Sequence, residues 1–233
     1  MTRVLVLEDD DHLRTSLRLM LEQDGKEVVE AERAETALQA VLAGPVDVML
    51  VDLMLGGVDG FTFIRQARQH TTAPIIVISA RDSTTDVVLA LEAGADDYVR
   101  KPFDVEEVQA RLAAALRRPT IAEHGSAGTS GKVLDSTHGP LVFDQDAASL
   151  TRGGEEIHLT HTEYQLLVAL SAHAGQVLSR STLLAHAWSD GHYGDERVVD
   201  VHVRRLRTKI EADPGRPQLL STVRGLGYRL NVR

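Results

Sequence analysis

Four apolar segments in the first half of the chain are each followed by a residue that can bind a metal ion or a phosphoryl group. Glu8 and Asp9 follow the first of them, Asp52 the second, Ser79 the third and Lys101 the fourth. If these segments are neighbouring parallel strands, their carboxyl ends meet in one crevice, where open α/β sheets bind ligands. The spacing predicts a single site for a divalent metal ion and a phosphoryl group.

The acidic residues of this predicted site call for a cation. Ionised carboxylates at Glu8, Asp9 and Asp52 would repel one another unless a divalent cation neutralised them. Carboxylate oxygens are hard ligands, which suits Mg²⁺. The backbone carbonyl of Met54, two residues after Asp52, is in position to complete the metal shell. These four residues form the predicted magnesium site.

The other two polar residues would act on a phosphoryl group bound near Asp52. Lys101 offers a positive charge to a phosphoryl oxygen, and Ser79 offers a hydrogen-bond donor. A plainer alternative is that residues 9–11 only cap the helix that begins near residue 12, and that Asp52 is an ordinary loop acid. The coincidence of four strand ends favours the shared site.

The segments that must position this site alternate between strand and helix patterns. Apolar runs typical of strands lie near residues 3–7, 27–30, 47–51, 75–78 and 97–100. Between them, apolar residues recur at helical spacing, as at Leu13, Leu17 and Leu21. This alternation is the signature of βαβ units. It predicts a doubly wound α/β domain with a five-stranded parallel sheet.

Length and composition indicate two domains. The chain has 233 residues, and 43% of them are hydrophobic, which allows two ordinary cores. Residues 119–138 contain glycine and serine but few apolar residues, as is typical of a flexible linker. The predicted domains are therefore 1–118 and 139–233.

Other features of composition exclude some classes of protein. The chain has no cysteine, so disulfides and thiolate metal sites are excluded. No apolar stretch approaches the roughly 18 residues of a membrane span. The first residues run directly into a strand pattern, without a signal peptide. We therefore expect a cytoplasmic protein that does not associate with a membrane.

The second domain combines short strands with three helices. Strand patterns lie near 141–143, 150–152 and 156–159, and helical patterns lie near 162–173, 181–188 and 196–211. The chain closes with a hairpin pattern over 219–230, whose turn contains Gly225 and Gly227. An α+β domain is expected.

The last of these helices is basic in an acidic protein. The formal net charge of the chain is −9, but residues 1–118 carry −8, residues 141–233 carry zero, and residues 197–209 carry +4. At 100° per residue, one stripe is apolar and should face the domain core: Val199, Val203, Leu206 and Ile210. The rest should point outward or flank the outer face: Arg197, Val201, His202, Arg204, Arg205, Arg207, Thr208 and Lys209.

The basic helix predicts a polyanionic partner. In particular, Val201 within the outer stripe is suited to contact a thymine methyl group in the major groove of DNA. The alternative is an ordinary solvated basic face, which explains the arginines of a lone helix but explains poorly the hairpin that follows it.

The first domain resembles a known family. The matching segments are LVLEDD at 5–10, VDLML at 51–55, ISAR at 78–81 and GADDYVRKPF at 94–103. They are similar to the CheY-like, flavodoxin-like receiver domain of bacterial two-component response regulators. The resemblance implies that Asp52 accepts phosphate from a sensor histidine kinase and that Ser79 and Tyr98 form a switch. Gly56 departs from the proline common in the family and leaves its loop freer.

The resemblance also implies a homodimer. One subgroup of the family pairs through its fourth helix, fifth strand and fifth helix, and the matching residues here are Val88, Leu91, Asp96, Asp97, Glu107, Ala110, Arg111 and Arg118. Two intersubunit salt bridges are implied, Asp97 with Arg111 and Asp96 with Arg118. Val87 stands where the family has a basic partner for Glu107, so a weaker or shifted dimer is expected.

The second domain resembles the winged helix-turn-helix domain of the OmpR/PhoB family. The matching segments are LTHTEY at 159–164, DERVVDVHVRRLR at 195–207 and TVRGLGYRL at 222–230. The resemblance implies DNA contacts in the major groove by Arg197, Val201, His202, Arg204, Arg205 and Arg207. It implies that Arg224 reaches the adjacent minor groove. Residues 188–196 match a loop that can contact RNA polymerase.

Both resemblances imply a two-component response regulator, not an enzyme. Phosphorylation of Asp52 would favour a dimer, which would place two winged helices on tandem half-sites of promoter DNA. One alternative is a phosphorylation-independent DNA-binding regulator that uses the receiver as a dimerisation module, an option that Gly56 keeps open. A phosphatase with an aspartate nucleophile is disfavoured, because such enzymes need a second aspartate where this chain has Met54.

Overall fold

The chain divides into two compact units in the computed structural model, Met1–Leu116 and Arg117–Arg233. The structure describes residues 1–116, 131–188 and 196–233. Each unit has its own sheet structure and its own buried core.

The first unit is a five-stranded parallel sheet with flanking helices. The strands are β1 (Arg3–Leu7), β2 (Glu27–Ala31), β3 (Val48–Val51), β4 (Ile75–Ser79) and β5 (Asp97–Arg100). The helices are α1 (Asp11–Gln23), α2 (Ala34–Ala43), α3 (Gly60–Ala67), α4 (Thr84–Ala93) and α5 (Val105–Ala115). All neighbouring strands are parallel, in the order β2-β1-β3-β4-β5. The prediction of a doubly wound parallel sheet is confirmed.

The central strands are buried along their whole length because helices cover both faces of the sheet. Every residue of β3 and β4 is buried. Alternate strand residues share one core cluster with residues of α1 and α5: Val4, Val6, Val48, Leu50, Ile76, Ile78, Val99, Leu17, Leu21, Val108 and Leu112. The strand order reverses between β1 and β3, so the loops that leave these strands diverge and open a crevice at their carboxyl ends.

The described residues of the second unit form a four-stranded antiparallel sheet, three helices and a terminal hairpin. The sheet contains β6 (Lys132–Asp135), β7 (Leu141–Asp144), β8 (Ser149–Arg152) and β9 (Glu155–Glu156). The helices are α6 (His161–Ala172), α7 (Arg180–Ala187) and α8 (Arg197–Ile210), and the hairpin pairs β10 (Leu220–Val223) with β11 (Gly227–Leu230). This is the predicted α+β winged-helix arrangement.

Two sequence-based assignments in the second unit were wrong. Strand β6 lies inside residues 119–138, which composition assigned to the linker. It was missed because a four-residue strand carries almost no periodicity, and its pairing with β7 includes a register shift after Val133. The strand predicted at 156–159 ends at Glu156. Residues 157–160 then lead into α6, where Thr160 forms a capping box with Glu163.

An ion pair joins the first described strand of the second unit to residue 233. The guanidinium of Arg233 donates to Asp135 Oδ1 at 3.0 Å, and the hydroxyl of Thr137 donates to the same oxygen at 2.7 Å. Burial would raise the pKa of Asp135, but the hydrogen bonds from Thr137 and the charge of Arg233 outweigh burial and lower that pKa to about 2. The ionised carboxylate therefore stabilises this unit.

Replacing Asp135 with asparagine should destabilise the second unit by about 2 kcal/mol at pH 7. Because the folded pKa lies below the unfolded one, this stabilisation is full above about pH 4 and disappears as pH falls toward 2. The chain has one tryptophan, the buried Trp188, whose fluorescence during urea unfolding reports on this unit.

The matched control is Asp146→Asn, which removes an exposed aspartate from the same unit. It should change the unfolding free energy by less than about 0.5 kcal/mol. Equal effects of the two variants, or an effect of Asp135→Asn that persists at pH 2, would contradict the assignment.

Candidate functional site

The ends of β1, β3 and β5 bring three carboxylates and a lysine into one cluster. Carboxylate oxygens of Glu8, Asp9 and Asp52 lie within 4.8 Å of one another. The ammonium of Lys101 donates to Asp52 Oδ2 at 2.6 Å and to Glu8 Oε2 at 2.8 Å. Glu8 and Asp52 are 2% and 4% exposed, whereas Asp9 is exposed. The convergence that the strand ends predict is present in the structure.

Burial makes the charges of this cluster interdependent. Burial raises the pKa of Glu8, and the charge of Asp52 acts in the same direction, whereas Lys101 opposes both. Burial alone would lower the pKa of Lys101, but its hydrogen bonds to the two acids outweigh that effect and raise the pKa. Lys101 therefore remains protonated. Its single charge does not balance three carboxylates, so the cluster attracts a further cation.

The backbone around Asp52 holds its carboxylate in place. The amide of Asp52 donates to the carbonyl of Leu7, which ties β3 to β1 at the site. The amide of Met54 donates to Asp52 Oδ1 at 2.9 Å. A Cβ atom at Gly60 would lie 2.4 Å from the carbonyl oxygen of Asp52, so only glycine allows α3 to begin here. These contacts aim the side chain of Asp52 into the crevice.

The capping alternative accounts for Asp10 but not for its neighbours. Asp10 Oδ1 accepts from the amide of Leu13 at 2.8 Å and so caps α1. Glu8 turns inward toward Lys101, and Asp9 offers its carboxylate to the same cluster. One of the acids in this run is therefore a helix cap, and two belong to the site.

Ser79 and Tyr98 lie next to the acidic cluster, at the end of β4 and in β5. Ser79 is fully buried, and its hydroxyl oxygen makes no hydrogen bond within the described residues. The hydroxyl of Tyr98 donates to the carbonyl of Arg81 at 2.5 Å. Burial raises the pKa of Tyr98 to about 12, against the opposing effect of the nearby Ser79 hydroxyl, although the two groups do not meet the geometry of a hydrogen bond. A buried hydroxyl without a partner carries a desolvation cost, which a ligand oxygen at this position would relieve.

Arg81 is a residue of this region that the sequence patterns did not single out. Its guanidinium donates to Asp86 at 3.2 Å and lies over the ring of Phe61, 5.6 Å from the centroid. Its backbone carbonyl accepts from Tyr98. Arg81 thus connects the loop after β4 with α3 and α4. A motif match to ISAR was the available signal, but it says nothing about these partners.

A cavity of about 230 Å³ opens beside Asp9. Its lining includes Arg33 and Glu35 at the start of α2, together with Gly56 and Gly57 in the loop after Asp52. A Cβ atom at Gly56 would lie 3.8 Å from Asp9 Oδ2, an ordinary contact. The glycine that departs from the family pattern therefore leaves space at the entrance to the site.

The surface predicted for dimerisation needs one correction. Leu91 is fully buried inside the first unit because it lies on the face of α4 that packs inward. It cannot contribute to an exposed apolar patch. Val88 is partly exposed and Ala110 is exposed, as the prediction requires. The exposed apolar residue beside them is Leu89, with 47% of its surface accessible.

The acids predicted to form intersubunit bridges have partners within the chain. Asp97 accepts two hydrogen bonds from Arg111, at 2.8 and 2.9 Å. Arg111 also donates to Glu107 at 2.7 Å. Asp96 is buried, and its Oδ2 atom accepts from Arg68 and from the amide of Ile75. Asp96 is thus an internal contact of β4, β5 and α3 rather than a simple surface acid.

Arg68 is a second residue that the sequence analysis missed. Besides Asp96, it donates to the carbonyls of Gly94 and Ala73. A single arginine near the end of a helix has no motif signal, because its partners lie 5 to 28 residues away in the sequence. Arg118, the predicted partner of Asp96, lies outside the described residues.

The basic helix α8 has a wider buried face than its periodicity predicts. Val199, Val203, Leu206 and Ile210 are buried, as expected. Val201 and His202 were expected on the outer face, but they are 7% and 0% exposed. The ring of His202 packs against Trp188, with centroids 5.2 Å apart. Neighbouring elements cover more than one stripe of α8, so the prediction of base contacts by Val201 and His202 is wrong.

The arginines of α8 fall into two groups. Arg197 and Arg204 are exposed, as is Arg224 in the turn of the hairpin. Arg205 pairs with the buried Glu163 at 3.2 Å. Arg207 donates to the carbonyl of Leu220 at 2.9 Å and to the hydroxyl of Thr222 at 2.8 Å. Arg205 and Arg207 are therefore less exposed than Arg197 and Arg204, and their guanidinium groups contact other elements of the unit.

Most of the loop assigned to RNA polymerase contact, residues 189–195, lies outside the described residues. Among the described residues, no helix is both long and apolar enough to cross a membrane.

The fold and the sites define a class of protein: a receiver domain with an acidic cluster at its strand ends, followed by a winged helix with a basic helix. Residues 4–113 match the family described as response regulator receiver domain, and residues 154–230 match transcriptional regulatory protein, C terminal. Each of the two units thus matches its own family.

Comparison with individual proteins extends this match to the full length. The chain is 42% identical over 231 residues to the transcriptional regulatory protein AfsQ1 of Streptomyces coelicolor, covering 99% of both chains. It is 46% identical over 237 residues to CseB of the same species, covering 99% of this chain and 98% of CseB. The structure of DrrB, a Thermotoga maritima OmpR/PhoB homologue, is similar with a TM-score of 0.51, 28% identity and 99% coverage of both chains. The chain belongs to the OmpR/PhoB family of two-component response regulators and is a transcriptional regulator.

Replacing Lys101 with alanine should destabilise the first unit by roughly 3–5 kcal/mol in the presence of a chelator, because two buried carboxylates lose the ammonium that contacts both. Added Mg²⁺ should restore part of the loss, since it neutralises the same acids. Differential scanning calorimetry, with and without Mg²⁺, measures both effects.

Lys26→Ala is the matched control, because Lys26 pairs with Asp24 at 3.0 Å outside the acidic cluster. It should cost less than about 1 kcal/mol and should show no special response to Mg²⁺. If Lys101→Ala were as stable in chelator as this control, the electrostatic account of the cluster would be wrong.

Proposed function

We propose that this protein converts phosphorylation of Asp52 into a change in its association with itself and with promoter DNA. The observation that carries the proposal is the cluster at the strand ends. Asp52 lies among Glu8, Asp9 and Lys101, almost fully buried but in contact with a fixed ammonium group. This arrangement suits a carboxylate that attacks phosphorus while the ammonium of Lys101 offsets negative charge on the incoming group.

The donor set of the cluster fits Mg²⁺. Three carboxylates within 4.8 Å of one another supply the hard oxygen ligands that this ion prefers. Glu8, Asp9 and Asp52 would hold the ion, together with the backbone carbonyl of Met54. A bound Mg²⁺ would neutralise repulsion between the carboxylates and the phosphoryl group.

A sensor histidine kinase is the proposed phosphoryl donor. The bond between phosphorus and the histidine nitrogen breaks as an Asp52 oxygen bonds to phosphorus. Lys101 then holds a phosphoryl oxygen instead of the free carboxylate, and the buried hydroxyl of Ser79 gains an acceptor. Both side chains already lie at the site, so the modification requires rearrangement of few groups.

The switch would run from Ser79 through Tyr98 to the face of α4, β5 and α5. Tyr98 is linked to Arg81, and Arg81 contacts residues of α3 and α4. A shift of Ser79 toward the phosphoryl group would therefore change the position of Tyr98 and of the loop that precedes α4. We propose that this favours a homodimer through Val88, Ala110 and neighbouring residues, with Asp97 and Arg111 exchanging partners between subunits.

DNA binding is assigned to α8 and the hairpin turn. Arg197 and Arg204 are the exposed arginines proposed for the major groove, and Arg224 is proposed for the minor groove. Arg205 and Arg207 were also predicted at the DNA, but they are only partly exposed, and we assign them a supporting role. A dimer would place two such domains on tandem half-sites, with RNA polymerase contacted through 188–196 and all partners meeting in the cytoplasm.

Asp52→Ala should abolish formation of an acyl phosphate, because it removes the accepting oxygen. The full-length chain is incubated with radiolabelled acetyl phosphate and Mg²⁺, and the bound label is tested for lability to base. Asp82→Ala, which removes an exposed acid from the loop after β4, should label like the wild type. Retention of base-labile label by the Asp52 variant would contradict the assignment.

The same samples distinguish a regulator whose DNA binding depends on phosphorylation from one whose DNA binding does not. Labelling of the wild type should raise its dimer fraction in sedimentation and its affinity for a duplex that it selects from a random pool. If labelling occurs but neither quantity changes, the receiver acts as a constitutive module instead.

Arg224→Ala should weaken binding to the selected duplex and lower its salt dependence. Loss of one phosphate contact reduces the slope of log affinity against log salt by about 0.9. Arg33→Ala removes an exposed arginine from the first unit and should leave the slope unchanged. Fluorescence anisotropy over a series of salt concentrations measures the affinity and its salt dependence for each variant. An unchanged slope for Arg224→Ala would show that this residue does not contact the DNA.

A further inference from the structure

A cluster of four side chains joins α7, α8 and the terminal hairpin. The hydroxyl of Tyr228, in β11, donates to Asp200 Oδ1, in α8, at 2.6 Å. The guanidinium of Arg180, at the start of α7, donates to the same oxygen at 2.7 Å. We call Arg180, Asp200, Arg207 and Tyr228 the Tyr228 cluster. One carboxylate oxygen thus links all three elements.

Two guanidinium groups also lie over the ring of Tyr228. Arg180 Cζ lies 5.1 Å from the ring centroid, and Arg207 Cζ lies 5.5 Å from it. Arg207 is held in place by hydrogen bonds to Leu220 and Thr222 of β10. Cation–π contacts of this kind add to the hydrogen bonds where the groups are partly desolvated. Arg207 therefore connects α8 to both strands of the hairpin.

Backbone contacts beside this cluster attach the hairpin to the segment that precedes α7. Leu178, just before α7, exchanges two hydrogen bonds with Tyr228, each of 2.9 Å. A Cβ atom at Gly227 would lie 2.0 Å from the carbonyl oxygen of Leu178, and Gly227 has φ of +142°. Only glycine fits both the contact and the conformation. The turn that contains Arg224 is thereby attached to the start of α7.

Asp200 is otherwise difficult to explain at its position. It is the one acid in the +4 segment 197–209, and its side chain is 41% exposed. A negative charge in a helix that approaches phosphates weakens binding to DNA. The contacts with Arg180 and Tyr228 give a reason for this residue that offsets the repulsion.

We propose that Asp200 and Tyr228 are positioning residues, which set α8 relative to the hairpin turn so that Arg204 and Arg224 can contact one duplex together. In this assignment Arg180 and Arg207 hold Asp200 and Tyr228 in place and do not contact bases. The inference rests on the proposed DNA-binding function and adds to it the geometry that joins its two contact regions.

The first test uses the sign of a charge effect. If Asp200 acted only through its charge, Asp200→Asn would tighten binding to the selected duplex and steepen its salt dependence. Positioning predicts the opposite sign, a loss of roughly tenfold in affinity. Glu196→Gln removes an exposed acid at the N-cap of the same helix, outside the cluster, and should leave affinity equal or tighter.

The second test asks whether the contribution of Arg224 depends on Tyr228. Tyr228→Phe removes one hydroxyl and keeps the ring between the guanidiniums. Arg224→Ala should weaken binding by roughly tenfold in the wild-type background but by less than about threefold in the Tyr228→Phe background. Tyr164→Phe removes a hydroxyl that donates to Gln145 in the same unit. In that control background, Arg224→Ala should keep its full effect.

The outcomes distinguish this inference from the function on which it rests. If the wild type binds no duplex, the proposed function itself fails. If the wild type binds and Arg224→Ala weakens binding equally in every background, Tyr228 does not position the hairpin turn. Tighter binding by Asp200→Asn would likewise overturn the positioning role. Trp188 fluorescence confirms that each variant is folded before its affinity is compared.

Discussion

Repulsion among the carboxylates that lie together at the carboxyl edge of the parallel sheet governs both the stability and the chemistry of the first domain. Glu8 and Asp52 are almost fully buried and share the ammonium group of Lys101. This arrangement leaves an excess of negative charge, so the site is suited to a divalent cation and then to a phosphoryl group. The buried hydroxyl of Ser79 adds a hydrogen-bonding group that the described protein does not satisfy. Stability of the domain and chemistry at the site therefore draw on the same few charges.

The second domain uses buried charge differently, to position elements rather than to bind a ligand. Glu163 is fully buried and forms an ion pair with Arg205 of α8. It also accepts a hydrogen bond from Lys209 of the same helix and completes the capping box of α6. Asp200 and Tyr228 join the same helix to the hairpin. Several cations of the basic helix are thus occupied within the protein. A count of arginines therefore overstates the number of exposed cations on this helix.

Sequence patterns predicted the receiver almost completely because each pattern there reflects a local physical constraint. The central strands β1, β3 and β4 are covered by helices on both faces and are almost wholly apolar. All five strands were located to within about one residue, and the polar residues at the carboxyl ends of four of them identified the site. The winged helix was harder. Short strand β6 has little periodicity, and the buried face of α8 is wider than one apolar stripe. Val201 and His202 were misplaced for that reason. Leu91 of α4 was misplaced for another reason, because the family resemblance and not a sequence pattern assigned it to the dimer surface.

The sequence by itself determined the sheet, the acidic site and the presence of a basic helix, since these follow from strand burial, helical period and charge. Only the tertiary structure decided which partners the charged groups have. Asp96 is held by Arg68, Arg207 by the hairpin, and Asp200 by Tyr228. Such partners lie far apart in the chain, and a hydrogen bond forms only at a particular distance and angle. The packing of whole helices and strands sets that geometry, and a local sequence pattern cannot predict such packing.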